Sequence, residues 1–497
     1  MPSTRPGVAG TAEISYCCAQ VSTQTPSEGT VRDRIPAAPK GLAMLLAVGP
    51  SLVWCAEYIG SGEVILATRT GAIFGTAVLW AIVLAIVLKY LIGLAGAHWT
   101  VVTGEGMIDL FARIPGPRKW LVWVVFLCQL PAAVVSIGAL ANASTTFLNT
   151  LLPLPHGRLL WGTFVIVFAV SVAWSGRFDL LKAVMSFLVL LIILGVFYVA
   201  AATFPPISEL VAGLFGLLPL EMPEWAIPGR PSPWREILPL AGWSAGGFAS
   251  QVWYTYWVLG AGFGMAACGG FGKPADLSRL AKLDEERARK LRGWTRMVTV
   301  DATAAVVVGT FVTCAFALAG AGVLRASHLV PQGQEVAFTL SRIFSSRWGE
   351  LGGKLFLVSG CAALLSTNVG QLSGWPRLLA DCLRILFPRV GERVPWRSQF
   401  RALLLLFVAT NLIATVFFDP VKLVQLGSQL DGILLTPIQA LAILAAFLFI
   451  LPKLVPKDVH RLVRPSPLLL AGLALSAIVF GIPCVLYLPG SLMALFR

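Results

Sequence analysis

Charge is scarce in this sequence. Asp, Glu, Lys and Arg make up 12% of its 497 residues against 57% hydrophobic residues, where a soluble domain carries about 25% charged residues. So few charges cannot cover the surface of a water-soluble globule this large. Histidine is scarcer still: His98, His156, His328 and His460 are scattered and peripheral to any motif. A Walker A loop, an HExxH motif and a nucleophile elbow are all missing, which excludes the commonest soluble enzyme chemistries. No enzyme activity and no cofactor is expected. The nine cysteines show no CxxC spacing, so they do not form a zinc or dithiol motif. Most read as small packing residues of apolar segments, while Cys17 and Cys18 stand in a polar N-terminal stretch as unmodified or acylated tail residues.

Long apolar runs take the place of charge. About eleven begin near residues 41, 74, 118, 158, 178, 235, 298, 352, 400, 421 and 466, and crossing a bilayer takes about 20 residues. At that length only helices satisfy their own backbone groups in lipid. A β-barrel would need shorter segments of alternating polarity, and these runs do not alternate. The chain is therefore expected to be an all-α polytopic membrane protein with its membrane domain over residues 41–490, preceded by a disordered cytoplasmic tail, 1–40, rich in Thr, Ser, Pro and Gly. The tail holds no apolar core, which excludes a cleavable secretory signal.

The net charge of +14 is arranged by topology. With the N-terminus in the cytoplasm, alternate loops carry Arg113, Arg118 and Lys119; Arg177 and Lys182; eight Lys and Arg between Lys273 and Arg296; Arg389, Arg393, Arg397 and Arg401; and Lys453, Lys457, Arg461 and Arg464. Such a bias is the positive-inside pattern. It predicts a multi-pass protein of a bacterial inner membrane, N-terminus cytoplasmic and C-terminus outside, and leaves little basic charge for nucleic acid. Among the polar stretches, ISELVAGLFGLL reads as an interfacial amphipathic segment and KPADLSRLAKLDEERARKLRGW as a charged helix on the inner face.

Two runs share an interruption. The first contains Gly60-Ser61-Gly62 at mid-depth, and the sixth clusters Gly242, Gly246 and Gly247. Glycine weakens helices and permits backbone that a helix forbids. Interrupted helices at matching positions of two halves point to an inverted-repeat transporter, 5+5, with one helix added. The same glycines would also serve close helix packing.

The segment GPSLVWCAEYIGSGEVILATRTGAIFGTAVLW, followed by KYL and VVTGEGMIDLF, resembles the start of the Nramp family of divalent-metal transporters, and VKLVQLGSQLDGILLTPIQALAI resembles that family's tenth helix. The resemblance implies a LeuT-type fold over most of residues 40–450 and a divalent metal as the substrate class. It also implies a site that has changed. Where the family carries Asp-Pro-Gly-Asn, this chain has Gly60, Ser61, Gly62 and Glu63. Its Met-Pro-His motif aligns with Gln251, Val252 and Trp253, and acidic positions of the third helix align with Ala132 and Val135. The helix-10 glutamine is kept as Gln429. Without Met and His, the soft ligands that favour transition metals are gone.

The candidate substrate-binding residues are accordingly Gly60, Ser61, Gly62, Glu63, Glu57, Ser250, Gln251, Gln429 and Asp431, with Glu63 and Gln429 as metal ligands. An ionisable group in the membrane is by default a functional hypothesis. Glu63 alternatively stabilises the half-helix N-terminus with Ser61 as N-cap. Glu57 alternatively pairs with Lys89, and Asp431 alternatively bonds to a neighbouring helix as a neutral acid. Ser366 and Thr367 suit a coupling-ion site against carbonyls of the first helix, or simply bond within their own helix. Trp253, Tyr254, Tyr256 and Trp257 line a cavity or belong to an interface.

Three functions fit. The first is an alternating-access carrier of a cation, a divalent metal of the harder Mn or Mg type given the oxygen-only ligands. The second is a sodium- or proton-coupled carrier of a small organic solute. The third is a non-transporting membrane sensor. The expected partners are the transported cation or solute and the lipid bilayer, not nucleic acid.

Overall fold

Backbone groups inside a bilayer must be satisfied within the protein, and the described structure is helical accordingly. The computed structural model describes residues 35–175, 190, 194–229 and 231–495. The tail with Cys17 and Cys18, the basic pair Arg177 and Lys182, and most of the run beginning near 178 lie outside the described residues.

Ten segments carry the argument. The first apolar run is divided into α1 (Pro50–Tyr58) and α2 (Thr68–Phe74), joined through a π-helical turn at Gly62–Ala67. Then come α3 (Leu79–Thr103), the short α4 (Met107–Ala112) and α5 (Trp120–Leu151). The sixth run is again divided, into α6 (Trp234–Trp243) and α7 (Phe248–Ala261). After it stand α8 (Glu285–Ala319), α9 (Val336–Leu386) and α10 (Pro420–Gly432). Among the described residues, eight helices are long and apolar enough to cross a membrane. The number is nine if Leu194–Ala202 and Ile207–Leu214, bent by 119°, form one span. The second member of that bent pair is the amphipathic ISELVAGL segment, which turns away from its predecessor as an interfacial helix would.

The structure differs from the sequence reading in three places. The charged stretch 273–294 is not one helix. Asp276 caps a five-residue helix at Leu277–Ala281, and Asp284 then caps α8, each carboxylate accepting the backbone N–H three residues on. From Glu285 the helix runs without interruption into the apolar zone. Its polar beginning carries the pairs Glu285–Arg289 and Glu286–Lys290 at i,i+4, so hydropathy alone places its start too late. The run beginning near 421 forms one candidate span, Pro420–Leu454, but its helix is interrupted: α10 ends at Gly432, and a second starts at Thr436. Finally, α9 turns sharply at Gly349 (φ 63°, ψ −158°), which leaves Trp348–Leu386 as the membrane part.

The core sits where α5 packs on α9 and α10, which in turn meet the two divided helices, and α3 packs on both α7 and α8. Close approach rather than glycine content positions the divided helices. A Cβ on Gly432 would stand 1.8 Å from the carbonyl oxygen of Gly242, so α10 and α6 touch backbone to backbone. Gly432→Ala should therefore force the backbones apart and cost about 1–3 kcal/mol, as overpacking does. The readout is a lowered thermal midpoint of the detergent-solubilised protein. Gly490→Ala, where nothing lies within 4 Å of the added carbon, is the control that should melt like the parent. Equal melting of the two variants would refute the contact.

Candidate functional site

Each interruption frees backbone groups in the middle of the apolar core. In the first, Ile59 leaves helical geometry (φ −72°, ψ 87°) after Tyr58, and Gly60 and Ser61 lead into the π turn. In the second, Ser244 is extended (ψ 117°), and Ala245 (φ 57°) and Gly246 (φ 73°) are left-handed before α7 begins. A non-glycine residue in that region is uncommon and strained, so Ala245 marks a backbone held in place by its surroundings.

Side chains from other helices satisfy what the breaks expose. Lys89, fully buried on α3, donates to the carbonyls of Gly242 and of Gly246, the latter at 2.6 Å. Asp431 on α10 serves the opposite end: Oδ1 accepts the Ala249 N–H at 2.9 Å, and Oδ2 accepts the Trp243 indole N–H at 3.3 Å. The carboxylate thus caps α7 from a neighbouring helix, at the positive end of its dipole. Gln251 donates to the Ala245 carbonyl at 3.0 Å. The Thr367 hydroxyl lies 3.1 Å from the Ala363 carbonyl of its own helix and 3.3 Å from the Ile59 carbonyl across the first break, and Ser366 reaches the Ala56 carbonyl at 3.5 Å. Glu63 turns back on its own chain, with Oε2 accepting the Gly60 N–H at 3.0 Å and Oε1 3.5 Å from Thr313 Oγ1.

Two alternatives from the sequence are corrected by this geometry. Glu57 does not pair with Lys89: its Oε2 accepts from Ser250 Oγ at 3.1 Å, and Ser250 accepts from the Trp54 indole at 3.0 Å. The ammonium is drawn instead to the carbonyl end of α6. Ser61 makes no capping bond through its side chain. It is already helical (φ −64°, ψ −25°), whereas an N-cap needs an extended backbone to aim its oxygen at the next turn.

A small cavity of about 20 Å³ lies between the breaks, room for one body the size of a water molecule. Glu57, Ser61, Gly62, Ser250, Thr367 and Asp431, all expected from the sequence, line it. Gly60, Glu63, Gln251, Gln429 and Ser366 do not. Gln429 is nonetheless fully buried, and among the described residues neither amide atom has a hydrogen-bond partner. Gly60 stands behind the wall, where a Cβ would come within 2.4 Å of Thr367 Oγ1. Of the four aromatics after the second break, Trp253 lines the cavity, edge-on to Trp375 at 5.3 Å. Tyr254 stacks on Trp54 and Tyr256 bonds to Asp381. Ala132 and Val135 are not part of the lining.

Sequence reasoning missed Tyr58, Trp243 and Gln371 of the lining, and Asp301 outside it. Asp301 accepts the N–H groups of Gly49 and Ser51, both at 2.9 Å, and the hydroxyl of Tyr254 at 2.8 Å, so it anchors the start of α1. Its signal was available: a lone carboxylate in the apolar run MVTVDATAAV. The polar lining is made of carboxylates, hydroxyls, an amide and indoles, with no Met or His. Among the described residues, no three of His, Cys, Asp and Glu come together to hold a metal. A cation here would rely on two carboxylates assisted by neutral oxygens.

Buried ion pairs lie beyond the cavity in both directions. Toward one end, Arg69 of α2 forms a two-bond pair with Glu236 of α6 at 2.8 and 3.0 Å, and Gln425 of α10 donates to the same carboxylate at 3.1 Å. Toward the other, Arg384 of α9 holds both oxygens of Asp109 at 2.8 and 2.9 Å, while Asp381 accepts from Tyr256 at 2.8 Å. Beside that cluster, Arg113 is held above its ordinary basicity, first by its hydrogen bonds to Glu105.

Residues 51–222 match the family model Nramp, described as natural resistance-associated macrophage protein-like. Over 146 residues the chain is 27% identical to the divalent metal cation transporter MntH of Chromohalobacter salexigens, covering 28% of this chain and 33% of that protein. Over 128 residues it is 31% identical to MntH of Yersinia pestis, covering 25% and 31%. The chain thus spans about a third of the length of the curated relatives it matches. In structure it is similar to a manganese transporter of Eremococcus coleocola, with TM-score 0.62 and 14% identity over 95% of this chain and 98% of that one. It is also similar to the nucleobase-cation-symport-1 family transporter MHP1, with TM-score 0.53 and 15% identity over 93% and 94%.

The Glu63 geometry yields a test by melting alone. Glu63→Ala strands the buried Gly60 N–H, at a cost of about 1–3 kcal/mol, whereas Glu63→Gln keeps a carbonyl oxygen for it. The Ala variant should melt clearly below the Gln variant. Coincident melting curves would mean that the Glu63–Gly60 bond does not hold the first break.

Proposed function

We propose that this chain, Nramp-like in sequence over residues 51–222 and sharing the fold of a manganese transporter, is a secondary carrier that moves a cation by alternating access. In this reading the cargo is a divalent metal of the harder kind, such as Mn²⁺ or Mg²⁺. It binds between Glu57 and Asp431, with Ser61, Ser250, Thr367 and Gln371 as neutral oxygens. The observation that carries the reading is the ion-sized cavity at the meeting of two broken helices, with an all-oxygen set of acceptors facing it. Hard cations take oxygen ligands, and a dehydrated ion needs nearby negative charge to offset its lost water. A space of about 20 Å³ accommodates a small ion. Glu63 and the unpartnered amide of Gln429 belong to this proposed site as reserve ligands that approach when the breaks rearrange.

The finer architecture is part of the same proposal. The divided helices head two sets of five spans, related as inverted repeats, and Pro467–Leu486 is the eleventh span. The breaks at Ile59–Ser61 and Ser244–Gly247, at equivalent places in the two sets, support it. The positive-inside bias favours an inner-membrane location, with the N-terminus cytoplasmic and the C-terminus outside. The cluster around Arg384 then faces inward and the Arg69–Glu236 pair outward. Ser366 and Thr367, whose hydroxyls meet carbonyls of α1, are the proposed coupling-ion ligands.

Two predictions follow from the proposed roles. In proteoliposomes, Glu57→Gln and Asp431→Asn should each lower Mn²⁺ or Mg²⁺ uptake on the order of tenfold or more, equivalent to a loss of about 1.4 kcal/mol, while both variants remain folded and inserted. Absence of divalent-ion uptake by the intact, folded parent would remove the metal assignment. For the coupling ion, sodium should raise the melting temperature of the parent, and the Ser366→Ala/Thr367→Ala double variant should lose that response. A sodium response that persists in the double variant would place the ion elsewhere.

A further inference from the structure

Among the described residues, Lys89 is the one ammonium set directly on a helix break, and its surroundings are those of a cation site. The side chain is fully buried. Among the described residues no carboxylate lies within ion-pairing distance of it, and its two hydrogen-bond partners are the backbone carbonyls of Gly242 and Gly246. The π face of Phe480 lies 5.7 Å from Nζ. Phe480 belongs to an apolar cluster with Ala85, Leu88 and Ile433, which packs around this part of α3 and keeps water away. Glycine 432 closes the cage from α10, being in backbone contact with the same Gly242 carbonyl. Gly242 stands in the last turn of α6, the negative end of that half-helix dipole. Freed carbonyls and a half-helix C-terminus are what broken-helix transporters offer to a small cation, and an aromatic face is a further cation ligand.

We infer that the Gly242 and Gly246 carbonyls with the Phe480 ring form a monovalent-cation site that Lys89 fills from within. Its ammonium is a tethered co-ion: it takes the position and charge that a free alkali or ammonium ion would otherwise supply to the second break. Two consequences distinguish this from ordinary packing. The parent protein needs no dissolved ion at that break. A variant that lacks the ammonium but leaves its space open acquires a requirement for one. The inference concerns the charge resident in the fold and is independent of which cation the carrier moves.

The test uses the full-length protein in detergent, melted in choline chloride and in ammonium, methylammonium, potassium or sodium chloride at equal ionic strength. Lys89→Ala should melt below the parent in choline. It should then recover by several degrees, saturably, with ammonium or potassium, while the parent does not show that gain. A sodium effect at Ser366 and Thr367 would shift parent and variant alike, so the readout is the difference between them. Lys89→Met lacks the charge but fills the space with its thioether, so the same ions should not rescue it. Rescue of both variants, or of neither, overturns the inference, since the first is a general salt effect and the second a purely packing role. If Lys89→Ala cannot be purified in choline, recovery of folded protein only when ammonium or potassium is present throughout supports the inference. Equal loss in every salt overturns it. Because melting requires no flux, a failure here is separable from a failure of the proposed transport.

Discussion

A backbone carbonyl or amide freed in the middle of a bilayer has to be met by a partner inside the protein, because no water is there to take its place. In this protein the partners are largely charged side chains on other helices. Lys89 meets the carbonyl end of α6 and Asp431 the amide end of α7, Glu63 meets Gly60 across the first break, and Asp301 meets the start of α1. Each charge matches the sign of the helix end it serves. The divided helices are therefore fastened to α3, α8 and α10 by their termini, and the cavity is the space left where those fastenings converge.

That constraint explains why so few charged residues suffice and why many of them are buried. A charge in the apolar core is costly unless it is bonded, and the helix breaks supply the bonding. It also explains the division of labour among the carboxylates. Glu57 faces the cavity, bonded to a single serine hydroxyl, and so keeps accepting capacity for a ligand. Glu63 is committed to its own backbone, and Asp431 does both, capping α7 while bordering the cavity. The ion pairs at either end, Arg69–Glu236 and Arg384–Asp109, tie the divided helices or their neighbours to α9 and α10. An alternating-access movement would have to part such contacts on one side at a time.

Beside the Nramp pattern that the sequence resembles, the lining holds no Met or His, while the fold is similar to that of a manganese transporter. The polar lining consists of carboxylates, hydroxyls, an amide and indoles. Lys89 stands outside that lining, on the carbonyls of Gly242 and Gly246. The freed carbonyls of the second break are thereby met by a cation of the chain itself, and the carboxylates of Glu57 and Asp431 border the cavity.

Membrane residence, helix content and the position of both breaks were legible in the sequence, because they follow from local properties: run length, hydropathy and glycine clusters. Glu57, Ser250 and Asp431 could be singled out for a similar reason, since a polar group in an apolar run needs a purpose. The partners could not be read that way. Whether Lys89 would meet Glu57 or a carbonyl depended on how α3 packs on α6, more than 150 residues away in sequence. Ser61 was a plausible N-cap by residue type, but the backbone at the first break is already helical there and denies it the role. The start of α8 and the division after Gly432 were misplaced because hydropathy registers burial in lipid, not where hydrogen bonding begins or stops. The sequence determined which groups must be satisfied; only the tertiary structure decided by which partner, because hydrogen bonds and charge contacts act over a few ångströms between residues the chain holds far apart.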